Sequence, residues 1–205
     1  MTAAAPQPRL VILGAGGHAA VVAESAARAG WSVIGVAAAD GGELGDPDGA
    51  GADRIAALVA AGAKLHAAVG AADVRARWMK RFGEAAFATI VDPAAHVSPS
   101  ASVAAGCSIG AGAVVNARAV LRAGTIVNTR AVVEHDCTVG PFAHIAPGAI
   151  LCGSVRVDEG AQVSAGAVVI PAKSVGARSM VGAGAVVVRD VPEGATAVGV
   201  PARTI

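Results

Sequence analysis

The stretch from Val97 to Leu121 reads VSPSASVAAGCSIGAGAVVNARAVL, and every sixth residue in it is aliphatic. The register continues without insertion to Val187, so that sixteen successive sixth positions hold Val, Ile or Leu. A period of six fits neither a helix of about 3.6 residues per turn nor a simple alternating strand, and it indicates short strands joined by tight corners. We therefore predict a solenoid whose coils bury these residues and stabilise one another by stacking.

Counting each aliphatic residue as position 0, the remaining positions of the hexad differ in size. Position 4 is small in nearly every repeat and is expected to fill the rest of the interior. Glycine recurs at position 3, where a corner can require positive φ. The position-3 glycines are Gly106, Gly112, Gly124, Gly148, Gly160, Gly166 and Gly184. Positions other than 0 and 4 are expected to project outward.

This repeat resembles that of the hexapeptide-repeat acyltransferases, whose left-handed parallel β-helix has three faces per coil. The left hand is implied by the resemblance alone, because six-residue spacing selects neither hand and general connection rules favour the right. Three hexads per coil would stack residues that are 18 apart in the sequence.

Composition excludes several classes of protein. The chain of 205 residues has a formal net charge of +1, three Phe, two Trp and no Tyr. Without a Lys/Arg cluster or aromatic platforms, it offers no surface for nucleic acid. No apolar run approaches the roughly 20 residues of a membrane span, and the first residues lack a signal-peptide pattern, so we expect a cytoplasmic protein without membrane contact. Three cysteines without metal-like spacing predict structural thiols and no metal site.

A different organisation precedes the coil. We place the boundary at residue 90, with a Rossmann-like domain at 1–90 and the β-helix with its C-terminal tail at 91–205. Strands are predicted at 9–13, 32–37, 64–69 and 87–91, and helices after Ala19 to about Ala29, around 53–61 and at 71–82. This alternation predicts a small parallel α/β unit.

The first strand runs into Gly14-Ala15-Gly16-Gly17-His18-Ala19. This pattern lets a backbone approach a pyrophosphate at a helix N-terminus, although glycine turns at such junctions also serve packing alone. Asp40 lies where an acid would hold a ribose. The domain is half the size of a dinucleotide fold, which favours one nucleotide over NAD.

The glycine turn ahead of a hexapeptide coil resembles the bacterial sugar acetyltransferases that modify sialic acid or nucleotide-linked 4-amino sugars. The resemblance extends over essentially the whole chain. It implies that Gly16, Gly17 and His18 contact the nucleotide's phosphates and that Gly70 lines the same pocket. Residues 38–39 are alanines where relatives carry paired acids, so the nucleotide is not identified.

The chemically richest segment is Glu134-His135-Asp136-Cys137. His135 occupies position 2, so its imidazole projects from a corner with an acid on each side; a solvated corner histidine is the plain alternative. With three hexads per coil, Gly153 stacks over His135, leaves space and offers a backbone N–H. A base beside such a donor suits acyl transfer from a thioester to an amine. The inward position of Cys137 argues against a cysteine nucleophile.

The resemblance assigns roles to further residues. It implies that His135 is the base, that Asp136 raises its basicity, and that Asn128 lies on the substrate side. The positions implied for the co-substrate acetyl-CoA are His144, Gly153, Ala165 and Ala183. It also implies a homotrimer with acetyl-CoA between neighbouring coils.

We therefore predict direct transfer of an acetyl group from acetyl-CoA to the amino group of a nucleotide-linked 4-amino-deoxy sugar, as in polysaccharide biosynthesis. O-acetylation of a sialic-acid-like sugar is the nearest alternative, and a non-catalytic ligand-binding solenoid is the second. A zinc-dependent coil would need three suitably spaced histidines, and only His135 and His144 are available in this one.

Overall fold

The structure, a computed structural model, describes residues 6–205. The chain begins with a parallel sheet in the order β2–β1–β3, and helices cover both of its faces. The strands are β1 (Arg9–Leu13), β2 (Ser32–Ala37) and β3 (Lys64–Ala67). The helices are α1 (Gly17–Arg28), α2 (Ala52–Ala60) and α3 (Ala72–Phe82), followed by a 3₁₀ helix at Glu84–Ala86. Because β1 is covered on both sides, it is apolar nearly throughout.

The two faces of β1 belong to separate cores. Leu10 and Ile12 pack with residues of α1, whereas Val11 and Leu13 pack with residues of α3. The chain leaves β1 through Gly14, whose φ is +112°. A Cβ at this position would lie 2.7 Å from the Val69 side chain, so the turn requires glycine for both its conformation and its close packing.

The rest of the chain is a parallel β-solenoid with 18 residues per coil, as the pairing of Val133 with Leu151 shows. Two-residue strands stack into three sheets, which we call faces 1, 2 and 3. Face 1 contains β4 (Ile90–Val91), β7 (Ser108–Ile109), β10 (Ile126–Val127), β13 (His144–Ile145), β16 (Gln162–Val163) and β19 (Met180–Val181), and it ends in the hairpin of β21 (Thr196–Gly199) and β22 (Ala202–Thr204). Face 2 contains β5 (His96–Val97), β8 (Val114–Val115), β11 (Val132–Val133), β14 (Ile150–Leu151), β17 (Val168–Val169) and β20 (Val186–Val187). Face 3 contains β6 (Ser102–Val103), β9 (Val120–Leu121), β12 (Thr138–Val139), β15 (Arg156–Val157) and β18 (Ser174–Val175).

The interior of the coil agrees with the six-residue pattern. Every position-0 residue from Ile109 to Val187 is buried, and the seven position-3 glycines all have φ between 64° and 70°. Seven other residues adopt the same left-handed conformation at position 3: Arg118, Arg130, Asp136, Phe142, Ser154, Ala172 and Arg178. Stacking therefore imposes this corner geometry on side chains that do not favour it.

Each corner of the coil belongs to an edge, which we name by the two faces that it joins. Residues 128–131 lie on edge 1–2, residues 134–137 on edge 2–3, and residues 140–143 on edge 3–1. The α/β unit packs on edge 3–1, where Phe142 joins the cluster that contains Met79 of α3. The edge between two faces of a three-sided coil lies opposite the third face, so edge 2–3 lies opposite face 1.

A second junction joins α1 to the first coil. The buried carboxylate of Asp92 accepts hydrogen bonds from Ser25 Oγ at 2.6 Å and from the Ala94 N–H at 2.9 Å, and it pairs with Arg28. The α/β unit is therefore fixed to the coil at two separate points.

Two predicted strands differ from the structure. The strand expected at 64–69 ends at Ala67, because the carbonyls of Val69 and Gly70 turn away to accept hydrogen bonds from Arg75. The strand expected at 87–91 is reduced to Ile90–Val91, which pairs with Ser108–Ile109 of the coil. In the part of the chain described here, no helix is long and apolar enough to cross a membrane.

Candidate active site

His135 lies on edge 2–3 and is oriented by Asp136. The imidazole Nδ1 lies 2.8 Å from Asp136 Oδ2, and the ring is more than half exposed. A carboxylate only accepts hydrogen bonds, so Nδ1 carries the proton and donates it, which leaves the lone pair of Nε2 available as a base. Asp136 is itself in the left-handed region, at φ 62°, a conformation that aspartate tolerates better than most residues.

Arg118 is a partner of Asp136 that the sequence did not indicate. It occupies the same corner one coil earlier and donates from Nε to Oδ1 at 2.6 Å and from Nη2 to Oδ2 at 2.9 Å. Arg118 first, and His135 second, hold the pKa of the Asp136 carboxyl well below its usual range. Asp136 is therefore ionised at neutral pH, and its orientation is fixed from two sides.

Gly153 lies directly against the His135 ring. A Cβ at Gly153 would be 2.6 Å from His135 Cε1 and 2.7 Å from Nε2, well inside contact distance. The next residue maintains the register of the two coils, since the Ser154 N–H donates to the His135 carbonyl at 2.9 Å. The backbone N–H of Gly153 thus lies beside a base and is not screened by a side chain of its own, the arrangement that an oxyanion donor requires.

Cys137 points into the coil and is fully buried. Burial raises the pKa of its thiol to about 11. A protonated thiol without access to solvent is a poor nucleophile, which leaves the exposed imidazole of His135 as the side chain of this corner that could act as a base.

His144 and Asn128 form a second group, on face 1 and edge 1–2. Asn128 Nδ2 lies 3.1 Å from His144 Nε2, and the other imidazole nitrogen faces Gly70, where a Cβ would be 4.0 Å from Nδ1. His144 is half-buried, and burial first and the Arg75 charge second lower the pKa of its imidazole to about 4. This group includes Gly70, in the loop that follows β3, whereas His135 lies on the opposite side of the coil.

The glycine turn is open where a ligand would approach it. Gly16 precedes α1 and Gly17 begins it; apart from chain neighbours and the backbone of α1, no atom of residues 6–205 lies within 4 Å of the position of a Cβ at either glycine. His18 follows them, and its Nε2 is buried without a hydrogen-bond partner among the described residues. Burial first and Arg75 second lower the pKa of this imidazole. Free N–H groups at the start of a helix and an unsatisfied imidazole are suited to phosphate oxygens.

A cavity of about 300 Å³ lies beside this turn, at the carboxyl ends of β1 and β2. Its wall is made of small residues: Ala15, Ala19, Ala20, Ala23, Val36 and Gly41. Among the residues that the structure describes, Glu43 is the one charged residue of the lining, and it accepts a hydrogen bond from the Val36 N–H at 3.3 Å. Asp40, the acid expected here from the sequence, is exposed and does not line the cavity. Glu43 lies only three residues after Asp40, and its position in the cavity depends on how the loop between β2 and α2 folds, which the sequence alone does not show.

The remaining positions implied for acetyl-CoA, Ala165 and Ala183, are exposed on edge 1–2, stacked 18 residues apart. Within one protomer they lie on the side of Asn128 and His144, whereas Gly153 lies with His135 on edge 2–3. The candidate residues thus form two groups. The sequence contains a signal of this separation into two groups. His135 and His144 are nine residues apart, which is half of an 18-residue coil and places them on opposite sides.

Residues 9–82 match the family model of the PglD N-terminal domain. Over 96% of both chains, the structure is similar to a histidine-to-asparagine variant of perosamine N-acetyltransferase from Caulobacter crescentus in complex with CoA and GDP-perosamine, at 35% identity and a TM-score of 0.89. The chain belongs to the hexapeptide-repeat nucleotide-amino-sugar acetyltransferases. The acetyltransferase domain of PglB from Neisseria gonorrhoeae is a similar member, with 34% identity, a TM-score of 0.88, and coverage of 96% of this chain and 99% of that one.

WeeI from Acinetobacter baumannii shares the fold at 19% identity, with a TM-score of 0.75 and coverage of 96% and 99%. The predicted family and architecture, an α/β unit ahead of a hexapeptide-repeat β-helix, are confirmed by these comparisons. Membership of the family also agrees with the predicted enzyme class, an acetyl-CoA-dependent sugar N-acetyltransferase.

Proposed function

We propose that this protein transfers the acetyl group of acetyl-CoA to the amino group of a nucleotide-linked amino sugar, with His135 as general base. The observation that carries the proposal is the His135–Asp136 pair lying against Gly153. The amine attacks the thioester carbonyl while His135 Nε2 takes its proton, and the Gly153 N–H stabilises the tetrahedral oxyanion. Collapse of the intermediate breaks the C–S bond, and the CoA thiolate leaves and recovers the proton from the imidazolium.

The similar proteins support the proposal for both substrates, the nucleotide-linked sugar and acetyl-CoA. The Caulobacter enzyme is known in complex with CoA and GDP-perosamine, including variants in which a histidine is replaced by asparagine or alanine. The Neisseria domain is known in complex with acetyl coenzyme A. Two relatives of similar identity thus bind the two kinds of ligand that this reaction requires.

The nucleotide is a guanosine diphosphate. A nucleoside would fill the cavity beside the glycine turn, whose one charged lining residue is the Glu43 carboxylate. Guanine has two adjacent donors, N1–H and N2–H₂, that a carboxylate can accept together, whereas uracil and thymine offer a single N–H between two repelling carbonyl oxygens. The alanine wall of the cavity leaves room for a purine.

The complete site is formed between two copies of the chain in a homotrimer. The separation of the His135 group from the His144 group within one protomer supports this arrangement. Face 2, which lies between the two edges concerned, has an outward apolar column that favours association: Val114, Val132, Ile150, Val168 and Val186. Packing these faces around an axis parallel to the coil brings edge 2–3 of one copy against edge 1–2 of the next.

Within this arrangement, residues 1–90 form the domain that binds the nucleotide sugar and residues 91–205 form the acetyltransferase domain. The tail ends in the β21–β22 hairpin, which covers the last strand of face 1. Because the α/β unit packs on edge 3–1 and reaches face 1 through Gly70, it presents the sugar to a base supplied by a neighbouring copy.

The test follows thiol release from acetyl-CoA with UDP-, GDP- and dTDP-linked 4-amino sugars and sialic acid, for the wild-type protein and for His135→Ala. We expect turnover with a GDP-linked amino sugar that falls by about 10²–10⁴-fold in the variant. Ser102→Ala, which changes an exposed side chain on face 3, away from both groups of candidate residues, is the control and keeps its activity. Turnover with sialic acid alone, or undiminished turnover in His135→Ala, would overturn the proposal.

The shared site has a sharper test. When His135→Ala, which lacks the base, and His144→Trp, whose bulk fills the open space beside Gly70, are coexpressed, a site between copies contains both wild-type residues in about one quarter of random pairings. A site within one copy never does. We therefore expect about a quarter of wild-type activity from the mixture, and activity as low as that of either variant alone would contradict the shared site. Light scattering of the purified protein gives the number of copies.

A further inference from the structure

The Asn128 side chain has only one possible orientation. The backbone N–H of Thr129 donates to Asn128 Oδ1 at 2.8 Å, and a backbone amide can bond only to the oxygen of the side-chain amide. The Nδ2 group must therefore be the end that faces His144 Nε2, 3.1 Å away. Since Nδ2 can only donate, His144 Nε2 must accept.

This contact fixes the proton on His144. A neutral imidazole with an accepting Nε2 carries its hydrogen on Nδ1. That nitrogen faces Gly70, where the missing side chain leaves the space open. In residues 6–205, no atom accepts a hydrogen bond from Nδ1, so the donor is directed at the open space beside Gly70 and is available to a ligand oxygen.

Arg75 places a permanent charge close to this imidazole. It is an almost completely buried residue of α3, and its guanidinium bonds only to backbone carbonyls: Gly124 and Val69, each at 3.0 Å, Gly70 at 2.6 Å, and Phe142. No carboxylate of the described chain pairs with it. A buried cation without a counter-ion opposes a second positive charge nearby.

The same guanidinium joins the pocket to the coil. Its bonds to Val69 and Gly70 hold the end of the α/β unit, and its bonds to Gly124 and Phe142 hold edge 3–1. Gly70 is thereby kept at its distance from His144. The titratable and charged groups that face His144 are Arg75 from α3 and His18 from α1, and burial together with Arg75 lowers the pKa of His144 to about 4.

We propose that Asn128 and Arg75 are positioning residues that hold His144 as a neutral imidazole with its proton on Nδ1, so that it serves the reaction as a fixed hydrogen-bond donor. The inference rests on the proposed function for the identity of the ligand, whose carbonyl or phosphate oxygen would accept from Nδ1. It assigns proton transfer to His135 alone, because a histidine that stays neutral with its lone pair engaged by Asn128 cannot take a proton from the substrate.

The first test needs no substrate. ¹⁵N spectra of the histidine side chains, recorded from pH 5 to 8 on the wild-type protein, should show His144 neutral throughout and protonated at Nδ1. Asn128→Asp keeps the shape but replaces the donor with an acceptor, so the proton should move to Nε2. Asn116→Asp, the same change at the equivalent corner position of another edge, should leave the His144 signals unchanged. A wild-type His144 that titrates within this range or carries its proton on Nε2 overturns the proposal.

The second test uses kinetics. Asn128→Asp should raise KM by about five- to tenfold, the effect of losing one hydrogen bond to a ligand, with a smaller change in kcat. Arg75→Lys keeps the charge but cannot bond to four carbonyls, so it should loosen Gly70 and raise KM while His144 stays neutral. Arg75→Gln removes the nearby positive charge and should therefore raise the pKa of His144, and the same spectra would detect the protonated imidazole at a higher pH than in the wild type. If Asn128→Asp changes the tautomer but neither kinetic constant, the donor role is wrong while the proposed reaction stands.

Discussion

Replacing Gly153 by alanine should disable His135 without unfolding the coil. The new Cβ would lie 2.6 Å from His135 Cε1 and 2.7 Å from Nε2, whereas carbon atoms in contact are roughly 3.5–4.0 Å apart. The imidazole must therefore move by about 1 Å, and a displacement of that size can cost about 10²-fold in rate. Gly153 is not among the residues with positive φ, so its backbone accepts alanine without strain.

The assay is thiol release from acetyl-CoA with a saturating GDP-linked 4-amino sugar, which gives kcat separately from KM. We expect kcat to fall by about 10²-fold, and the free energy of unfolding to change by less than about 0.5 kcal/mol. If the loss acts through the imidazole, His135→Ala and the double variant of His135→Ala with Gly153→Ala should have equal rates. A Gly153→Ala protein with more than a third of wild-type kcat, or a double variant much slower than His135→Ala, would refute this reasoning.

Four further substitutions probe the coil, the domain junction and the cavity beside the glycine turn. Leu151→Ala removes a fully buried side chain and should cost about 2–5 kcal/mol in urea unfolding, whereas Ile150→Ala, on the adjacent outward position, should chiefly weaken association measured by light scattering. Burial raises the pKa of Asp92, but hydrogen bonds from Ser25, the backbone of Ala94 and Arg28 outweigh it and leave the pKa lowered. A carboxyl group whose pKa is lower in the folded protein stabilises the fold at pH values above its unfolded pKa of 3.8. This stabilisation is lost as the pH falls through the folded-state pKa. Asp92→Asn should therefore be less stable than the wild type at pH 7, and the difference should shrink as the pH falls below about 4 in thermal unfolding. Glu43→Gln should weaken GDP binding by about 10–100-fold in calorimetry and leave UDP binding unchanged, because a bond to a charged group is lost only with guanine.

The coil was predictable because one physical requirement repeats along it. Each position 0 must fit the same interior, so the aliphatic pattern from Val97 to Val187 reveals the fold without any knowledge of distant contacts. The strand β2 was predicted with its observed ends for a related reason, since Gly30 and the end of the apolar run bound it locally. Both features were predictable because they depend on residues close together in the sequence.

Arg75 could not be predicted in this way. It lies in Asp73-Val74-Arg75-Ala76-Arg77, where charged and apolar residues alternate. Such a charged stretch is typical of a solvent-exposed helix, and Arg77 is indeed exposed. Arg75 is buried because edge 3–1 packs over it, and its four carbonyl partners come from three separate segments. Such a site depends on how the two parts of the molecule pack, which no pattern within α3 records.

The role of Arg118 was hidden for a similar reason. Its bond to Asp136 joins residues 18 positions apart, and it needs both of them in the left-handed conformation at a corner where glycine is the usual choice. Sequence reasoning placed His135 on a corner from the repeat itself, and it placed Gly153 against His135 from the repeat together with the three faces per coil that the family resemblance implies. The ion pair depends on which non-glycine residues occupy the strained corners.

The unbroken 18-residue coil limits how a chain of this design can change length during evolution. Deleting or inserting six residues between Ala123, which packs against the α/β unit, and His135 would carry His135 to a different edge. A change of 18 residues would restore the edge but move the histidine by one coil, about 4.8 Å along the axis, away from the residues that it would face in the proposed trimer. Substitution, rather than insertion, is therefore the route by which such enzymes can acquire new acceptors, and their specificity must change in the loops of the α/β unit.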